Sequence, residues 1–166
     1  FESHFLRGNH DETLLQFLED ATVAEAWKNY GGLETLASYG VSRTRTGDWR
    51  DSQAELRENL PPAHLTFYRD LEMHFRLGDY IFVHAGLRPG IPIESQSPHD
   101  MMWIRDDFLN SKADFGALVV HGHTPKAAPD LRPNRIGIDT GAYMTGVLTA
   151  LVLEGDSQGF VTSRDV

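Results

Sequence analysis

The sequence predicts a mixed α/β fold, and three observations lead to that class. Apolar residues recur at helical spacing through the first 70 residues. Short apolar runs separated by turn residues follow one another closely after residue 72, which favours a mixed sheet covered by helices over a simple βαβ repeat. Three apolar runs, within residues 5–10, 80–86 and 117–124, each lead into a histidine beside a glycine-containing turn. Polar residues where buried strands end are a usual place for a site in such a fold.

Helices are predicted mainly in the first half of the chain. Residues 11–30 carry apolar side chains at helical spacing and are predicted as one helix, which Gly31 and Gly32 end. Shorter helices are predicted at residues 33–39, 54–60 and 63–71, the last one starting after a proline pair. The polar stretch 41–53 is predicted to be a loop or cap.

Strands are predicted at residues 3–7, 72–76, 80–84, 117–120, 135–139, 146–153 and 159–163. Gly78 and Asp79 indicate a hairpin between the second and third of these. Residues 88–98 and 126–134 are predicted as loops, and residues 98–109 contain a short helix. Since no repeat or linker interrupts the pattern, residues 1–166 are predicted to form a single domain.

Composition excludes several classes of function. A net charge of −9 argues against a surface for nucleic acid or anionic membranes, although a local metal cluster can still attract an anionic substrate. The absence of cysteine excludes disulfides, thiolate zinc sites and a cysteine nucleophile, and it is compatible with a cytoplasmic location. No apolar run approaches the roughly 20 residues of a membrane span.

Three motifs carry a resemblance to a known family. Arg-Gly-Asn-His-Asp at residues 7–11, Val-His-Ala-Gly at 83–86 and His-Gly-His-Thr-Pro at 121–125, in this order, resemble the calcineurin-like metallophosphoesterases. Within that superfamily they are most similar to the short bacterial serine/threonine protein phosphatases and the symmetrical dinucleoside-polyphosphate hydrolases. The resemblance implies a sandwich of two mixed β-sheets flanked by helices, with metal ions at the strand ends.

The family also carries Gly-Asp-x-His-Gly and Gly-Asp-x-x-Asp-Arg-Gly segments upstream, and neither occurs in this sequence. We therefore expect an N-terminally truncated chain, with the fold incomplete at that end. By this resemblance the bridging aspartate and the ligands of the first metal ion are missing. We accordingly expect these 166 residues alone to bind metal poorly and to hydrolyse little.

The resemblance also implies a set of site residues. Asn9, His84 and His123 would hold the second of two divalent ions (manganese, iron or zinc), since imidazole and oxygen ligands suit these metals. Only that ion would have most of its ligands in this chain. His10 would be the general acid that protonates the leaving oxygen. The alternatives are histidines that are buried and merely hydrogen-bonded, and for His10 a cap at a helix N-terminus.

Other residues are predicted around this centre. Arg105 is the candidate phosphate clamp, with an ion pair to Asp106, Asp107 or another carboxylate as the alternative. Tyr143 is predicted to line the pocket. His121 is predicted to support the site from behind the ligands or to contact substrate, and Asp139 is predicted to orient a ligand or a loop. The remaining histidines are predicted to be surface or packing residues: His4, His64, His74 and His99.

The predicted activity is a metal-dependent phosphoesterase in which a metal-bridging hydroxide attacks phosphorus without a covalent intermediate. The preferred substrate prediction is phosphoserine or phosphothreonine in a protein. The alternatives are a dinucleoside polyphosphate such as diadenosine tetraphosphate, an inactive fragment, or a binding module that kept the fold. A phosphoprotein or small phosphate ester is thus the expected partner, without nucleic acid or membrane, and the oligomeric state stays open.

Overall fold

The structure is a computed structural model that describes residues 2–42 and 48–164. The chain divides into two compact units. The helical unit is Arg7–Leu71, and the sheet unit combines Phe1–Leu6 with Glu72–Val166. Part of the loop predicted at residues 41–53 lies outside the described residues. The single-domain interpretation stays a prediction, and each unit is described by itself below.

The helical unit consists of short helices around one apolar core. Its elements are α1 Asn9–Glu19, a 3₁₀ turn at Ala21–Val23, α2 Ala24–Trp27, α3 Gly32–Ser38, α4 Trp49–Asn59 and α5 Pro62–Asp70. The core contains Leu14, Phe17, Leu18, Ala24, Trp27, Leu36, Val41, Trp49, Leu56 and Leu60.

Two of the helix predictions for this unit were wrong in their limits. The helix predicted over residues 11–30 is interrupted at Asp20, whose backbone is extended and whose carboxylate accepts a hydrogen bond from the Thr22 amide. Aspartate competes with helical hydrogen bonding in this way because its short side chain reaches nearby backbone amides. The stretch predicted as loop up to residue 53 contains the start of α4, which Asp48 caps through the Arg50 amide.

The sheet unit contains a five-stranded mixed sheet. Its strands are β1 His74–Leu77, β2 Tyr80–Val83, β3 Leu118–His121, β4 Asp130–Arg132 and β5 Arg135–Gly137, in the order β1-β2-β3-β5-β4. The three central strands β2, β3 and β5 are parallel, and each edge strand is antiparallel to its neighbour. The fold class is therefore confirmed as mixed α/β.

The rest of the sheet unit is a hairpin and short helices. Strands β6 Thr149–Glu154 and β7 Ser157–Thr162 form a separate antiparallel pair, so the second sheet is not mixed as the resemblance implied. The helices are α6 Pro98–Trp103, α7 Asp106–Leu109 and α8 Ala142–Thr145, with a 3₁₀ turn at Ile93–Ser95. The core of this unit contains Ile81, Val83, Ala85, Leu87, Met101, Ile104, Phe108 and Val119.

Three details of the sheet differ from the sequence predictions. The strand predicted at residues 3–7 is reduced to one bridge between Leu6 and Glu72. Strand β4 lies between Pro129 and Pro133, in a stretch that was predicted to be a loop. Prolines are tolerated there because β4 is an edge strand, which forms backbone hydrogen bonds with a neighbouring strand on one side only. The single helix predicted within residues 98–109 is two helices, α6 and α7.

Candidate functional site

The carboxyl ends of the three parallel strands lie at one edge of the sheet. His84 directly follows β2, His123 follows β3 by two residues, and Asp139 follows β5 by two residues. Register places Ile81 beside Val119 and Val119 beside Arg135, so the three strands end nearly level. Polar residues after parallel strands meet at such an edge, which is where open α/β sheets bind ligands.

His84 and His123 come together at this edge, which we call the histidine edge. Their ring centroids are 5.1 Å apart with an angle of 59° between the planes, and both side chains are half-buried. The Gly122 amide donates a 2.8 Å hydrogen bond to the His84 carbonyl, which ties the two strand ends together. The predicted proximity of these two histidines is thus present within the sheet unit.

A cavity of about 350 Å³ opens beside the two histidines. Apolar residues make up much of its wall, and the polar contributions come from a few side chains at the strand ends. The cavity is lined by Leu6, Phe82, Val83, His84, Val120, His121, Gly122, His123, Ile138, Asp139, Thr140, Ala142, Val147, Leu148 and Thr149.

The backbone at His123 is strained. Its φ is +65°, and it is the only non-glycine residue with positive φ in the part of the chain that the structure describes. The Thr124 amide donates a 2.8 Å hydrogen bond to the Gly122 carbonyl, so His123 is the central residue of a three-residue γ-turn. This conformation costs a non-glycine residue about 1–2 kcal/mol. A histidine at a position where glycine would be easier points to a use for its side chain.

Packing explains the glycine of the Val-His-Ala-Gly motif. A Cβ atom at Gly86 would lie 2.3 Å from the Phe108 ring, which is fully buried in the core of the sheet unit. The Ala85 amide donates to the Met101 carbonyl at 2.8 Å. The chain after His84 is therefore fixed against α6 and α7, which limits the freedom of the histidine.

Two side chains from the α6–α7 segment approach His123. The Trp103 ring lies 5.9 Å from the His123 ring at 80°, in an edge-to-face contact. The Arg105 guanidinium donates a 3.1 Å hydrogen bond to the Thr124 hydroxyl. The Asp107 carboxylate accepts from Arg88 at 3.0 Å, and the choice between a phosphate clamp and an ion pair for Arg105 stays a prediction. Sequence reasoning selected Arg105 and overlooked Trp103, although the two are only two residues apart.

His121 has a different environment from His123. Its Nδ1–H donates to the Gly122 carbonyl at 3.1 Å, and its Nε2 accepts from Arg135 at 3.4 Å. The Phe108 ring meets it edge-on at 4.9 Å. Burial lowers the pKa of His121 to about 4, and the positive charge of Arg135 adds to this effect. The supporting role predicted for His121 stays a prediction. The contacts of its side chain are with Gly122, Phe108 and Arg135.

Arg135 is the centre of a buried cluster. Its side chain is only 5% exposed and donates to the Asp130 carboxylate at 2.8 Å and to the Leu109 carbonyl at 3.0 Å. Although burial alone would raise it, the pKa of Asp130 is lowered by the hydrogen bond and charge of Arg135. Gly137 leaves room for the His121 imidazole, since a Cβ there would lie 3.2 Å from Nε2. We call His121, Asp130 and Arg135 the buried ion-pair cluster.

Asp139 and Tyr143 were predicted near the site. The Asp139 carboxylate accepts a 2.9 Å hydrogen bond from the Gly141 amide, and it therefore orients the loop that leads into α8. Asp139 also lines the cavity. Among the described residues, the lining includes Ala142 and not Tyr143, whose side chain is 80% exposed. The substrate contact of Tyr143 stays a prediction.

Asn9 and His10 belong to the helical unit, where they open α1. Asn9 is buried, and its carbonyl accepts a 2.6 Å hydrogen bond from the Thr13 hydroxyl. The Trp27 indole donates to His10 Nδ1 at 3.3 Å. Because an indole N–H can only donate, neutral His10 carries its proton on Nε2. The meeting of these two residues with His84 and His123 stays a prediction.

Whether a metal ion could bind at the histidine edge depends on the donor side chains that lie there. Two imidazoles at one sheet edge suit manganese, iron or zinc, but they are an incomplete set. Within residues 2–42 and 48–164, no three His, Cys, Asp or Glu side chains group closely enough to hold an ion. His84 and His123 therefore fit as part of a metal site whose completion requires a further ligand, which the amide of Asn9 is predicted to supply.

The comparisons with known proteins agree with the fold. No protein-family model matches the chain. The chain is 23% identical over 163 residues to the bis(5′-nucleosyl)-tetraphosphatase PrpE [asymmetrical] of Anoxybacillus flavithermus, covering 89% of this chain. It spans about 61% of the length of that relative.

The structural comparison covers more of the chain. A solved structure described as a proposed diadenosine tetraphosphatase superposes with a TM-score of 0.62 and 19% identity, covering 96% of this chain and 68% of the other. At this identity the likeness establishes the fold.

In the described residues, no helix combines the length and apolar character needed to cross a membrane.

Proposed function

We propose that this chain belongs to a metal-dependent phosphoesterase that hydrolyses dinucleoside polyphosphates. The observation that carries the proposal is the pairing of His84 and His123, 5.1 Å apart, at the carboxyl edge of the parallel strands. The proteins it resembles in sequence and in fold are both described as tetraphosphatases of this substrate class. This supports the dinucleoside polyphosphate over the phosphoserine or phosphothreonine substrate that the motifs first favoured.

Four residues would have separate roles in this reaction. His84 and His123 would hold a divalent cation, which when bound supplies charge stabilisation for a phosphoryl group. Arg105 would bind a phosphate oxygen through the guanidinium nitrogens that Thr124 does not occupy. His10 would protonate the leaving oxygen from Nε2 as an imidazolium, which requires Nδ1 to bind a proton in place of the hydrogen bond that it accepts from the Trp27 indole at 3.3 Å.

The experiment compares two substrates in the full-length protein with added Mn²⁺. Diadenosine tetraphosphate should be hydrolysed with a higher kcat/KM than a phosphoserine peptide, and His123→Ala should abolish hydrolysis of both. Preference for the phosphopeptide would contradict the substrate, and undiminished activity of His123→Ala would contradict the site. Product analysis adds the position of cleavage, because ATP with AMP indicates asymmetric cleavage and two ADP indicates symmetric cleavage.

A further inference from the structure

Trp103 is a residue of the sheet unit that lies beside the candidate site and has no role in the proposed chemistry. Its side chain is 40% exposed, whereas the other two tryptophans, Trp27 and Trp49, are 3% and 9% exposed. A single exposed apolar residue is common and needs no explanation by itself. Here the exposed indole stands in edge-to-face contact with His123, at 5.9 Å, beside the candidate site.

The indole is held on a fixed support. Its neighbours Met102 and Ile104 are buried. Ser97 caps α6 by accepting from the Asp100 amide at 3.0 Å. Arg88 then forms a two-point ion pair with Asp100, with both distances 2.7 Å, and a third contact with Asp107. An exposed aromatic ring on a rigid segment binds a flat partner with little loss of conformational freedom.

The groups around the indole suit a nucleotide. His99, one helical turn earlier, lies nearly parallel to it, with 6.3 Å between the centroids and 20° between the planes. Arg105, two residues later, reaches Thr124 next to His123. An aromatic surface and a guanidinium therefore lie close together along residues 99–105, and a guanidinium suits a phosphate group.

We propose that Trp103 is the stacking platform for a nucleobase, and that it fixes the nucleoside end of the substrate while Arg105 contacts the phosphate chain. This inference rests on the proposed function, because it assigns the base-binding part of the same site. Stacking accepts every base, since each has a π-face, so adenine and guanine ends should bind alike. The segment would thus select nucleotides over simple phosphate esters without selecting among the purines.

The test measures dissociation constants by equilibrium dialysis with Mn²⁺ present, for ATP and for base-free tripolyphosphate. The variants are Trp103→Leu, Trp103→Phe and the matched control Phe67→Leu, whose ring is 45% exposed on α5 of the helical unit. Loss of a stacked base weakens binding by about 5- to 150-fold. Trp103→Leu should weaken the binding of ATP by this factor, and Trp103→Phe should largely preserve ATP binding. Neither substitution should change the binding of tripolyphosphate.

Three results would overturn the inference. The first is a dissociation constant of Trp103→Leu for ATP within twofold of the wild-type value. The others are an equal loss of affinity for ATP and tripolyphosphate in Trp103→Leu, and an equal loss of ATP affinity in Phe67→Leu. The outcome is separable from that of the proposed function. Trp103-dependent ATP binding without hydrolysis of diadenosine tetraphosphate would leave the platform standing and reject the activity. Hydrolysis of diadenosine tetraphosphate together with Trp103-independent ATP binding would reject the platform and support the activity. A wild type that binds neither probe would also reject the platform, and the activity would still be decided by the hydrolysis of diadenosine tetraphosphate.

Discussion

Two histidines that stand two residues apart at the end of β3 lie in opposite environments. His121 belongs to the buried ion-pair cluster, where both ring nitrogens have partners and Arg135 and Asp130 neutralise one another. His123 belongs to the histidine edge, where a strained turn directs its ring towards His84 and the exposed Trp103. The buried cluster, with its opposite charges paired, stabilises the fold. The histidine edge instead combines a strained backbone at His123 with an exposed indole. The difference teaches that the second region is the one to test for chemistry. The predictions below separate an effect on activity at the histidine edge from effects on stability at the buried ion-pair cluster and in the packing around the two regions.

Removal of the imidazoles at the histidine edge should have the largest effect. His84→Ala and His123→Ala should each lower kcat/KM of the full-length protein at least about 1,000-fold, beyond the roughly 10–100-fold typical of groups that only support a metal ligand. Circular dichroism and the midpoint of thermal unfolding verify that the fold persists. His64→Ala in the helical unit is the control, and an equal loss of activity there would remove the distinction.

Disruption of the buried ion-pair cluster should instead reduce stability. Asp130→Asn leaves the charge of Arg135 buried without its carboxylate, so the free energy of unfolding should fall by about 3 kcal/mol. Urea denaturation measures this change. Asp156→Asn, at an exposed turn, is the matched control, and a difference below about 0.5 kcal/mol between the two variants would mean that the pair contributes little.

The close contact between Gly86 and Phe108 should make that glycine sensitive to substitution. Gly86→Ala forces a methyl group against a fully buried ring and should destabilise the protein by about 2 kcal/mol. Gly159→Ala on β7 has open space around it and should change stability far less. If thermal unfolding finds the two alanine variants alike, the packing explanation of the Val-His-Ala-Gly motif is wrong.

The strain at His123 should be visible as a stability difference between two inactive variants. His123→Gly removes the penalty of positive φ while His123→Ala retains it, so the glycine variant should be more stable by about 1 kcal/mol. Both variants lack the imidazole, and the comparison therefore isolates the backbone. Equal or lower stability of His123→Gly in urea denaturation would show that the turn is not strained.

The smallest effect concerns acid stability of the segment that carries Trp103. Hydrogen bonds from Arg88 lower the pKa of Asp100 below its usual value. The stabilisation is therefore complete above the unfolded-state pKa, about 3.9, and is lost as the pH falls through the lower folded-state pKa. Unfolding measured from pH 5.5 down to pH 2.5 should show a shallower decline in Asp100→Asn than in the wild type. Identical slopes would contradict the ion pair.

Local sequence patterns were sufficient for the ends of β2 and β3, because an apolar run followed by a histidine and a glycine has few structural interpretations. They failed where the outcome depends on distant residues. The approach of Trp103 to His123 is set by the packing of α6 and by the Arg88–Asp100 ion pair, neither of which a motif encodes. Strand β4 was overlooked because three residues between prolines carry no periodicity.

The most direct test of the histidine edge is the response of the histidine side chains to Mn²⁺, followed by NMR. Paramagnetic broadening should reach the imidazole resonances of His84 and His123 at lower Mn²⁺ concentrations than those of His64 in the helical unit. The result requires only weak binding and no turnover, so it examines the site apart from the substrate. Simultaneous broadening of all three histidines, or broadening that spares His84 and His123, would contradict the assignment of this edge as the metal-binding centre.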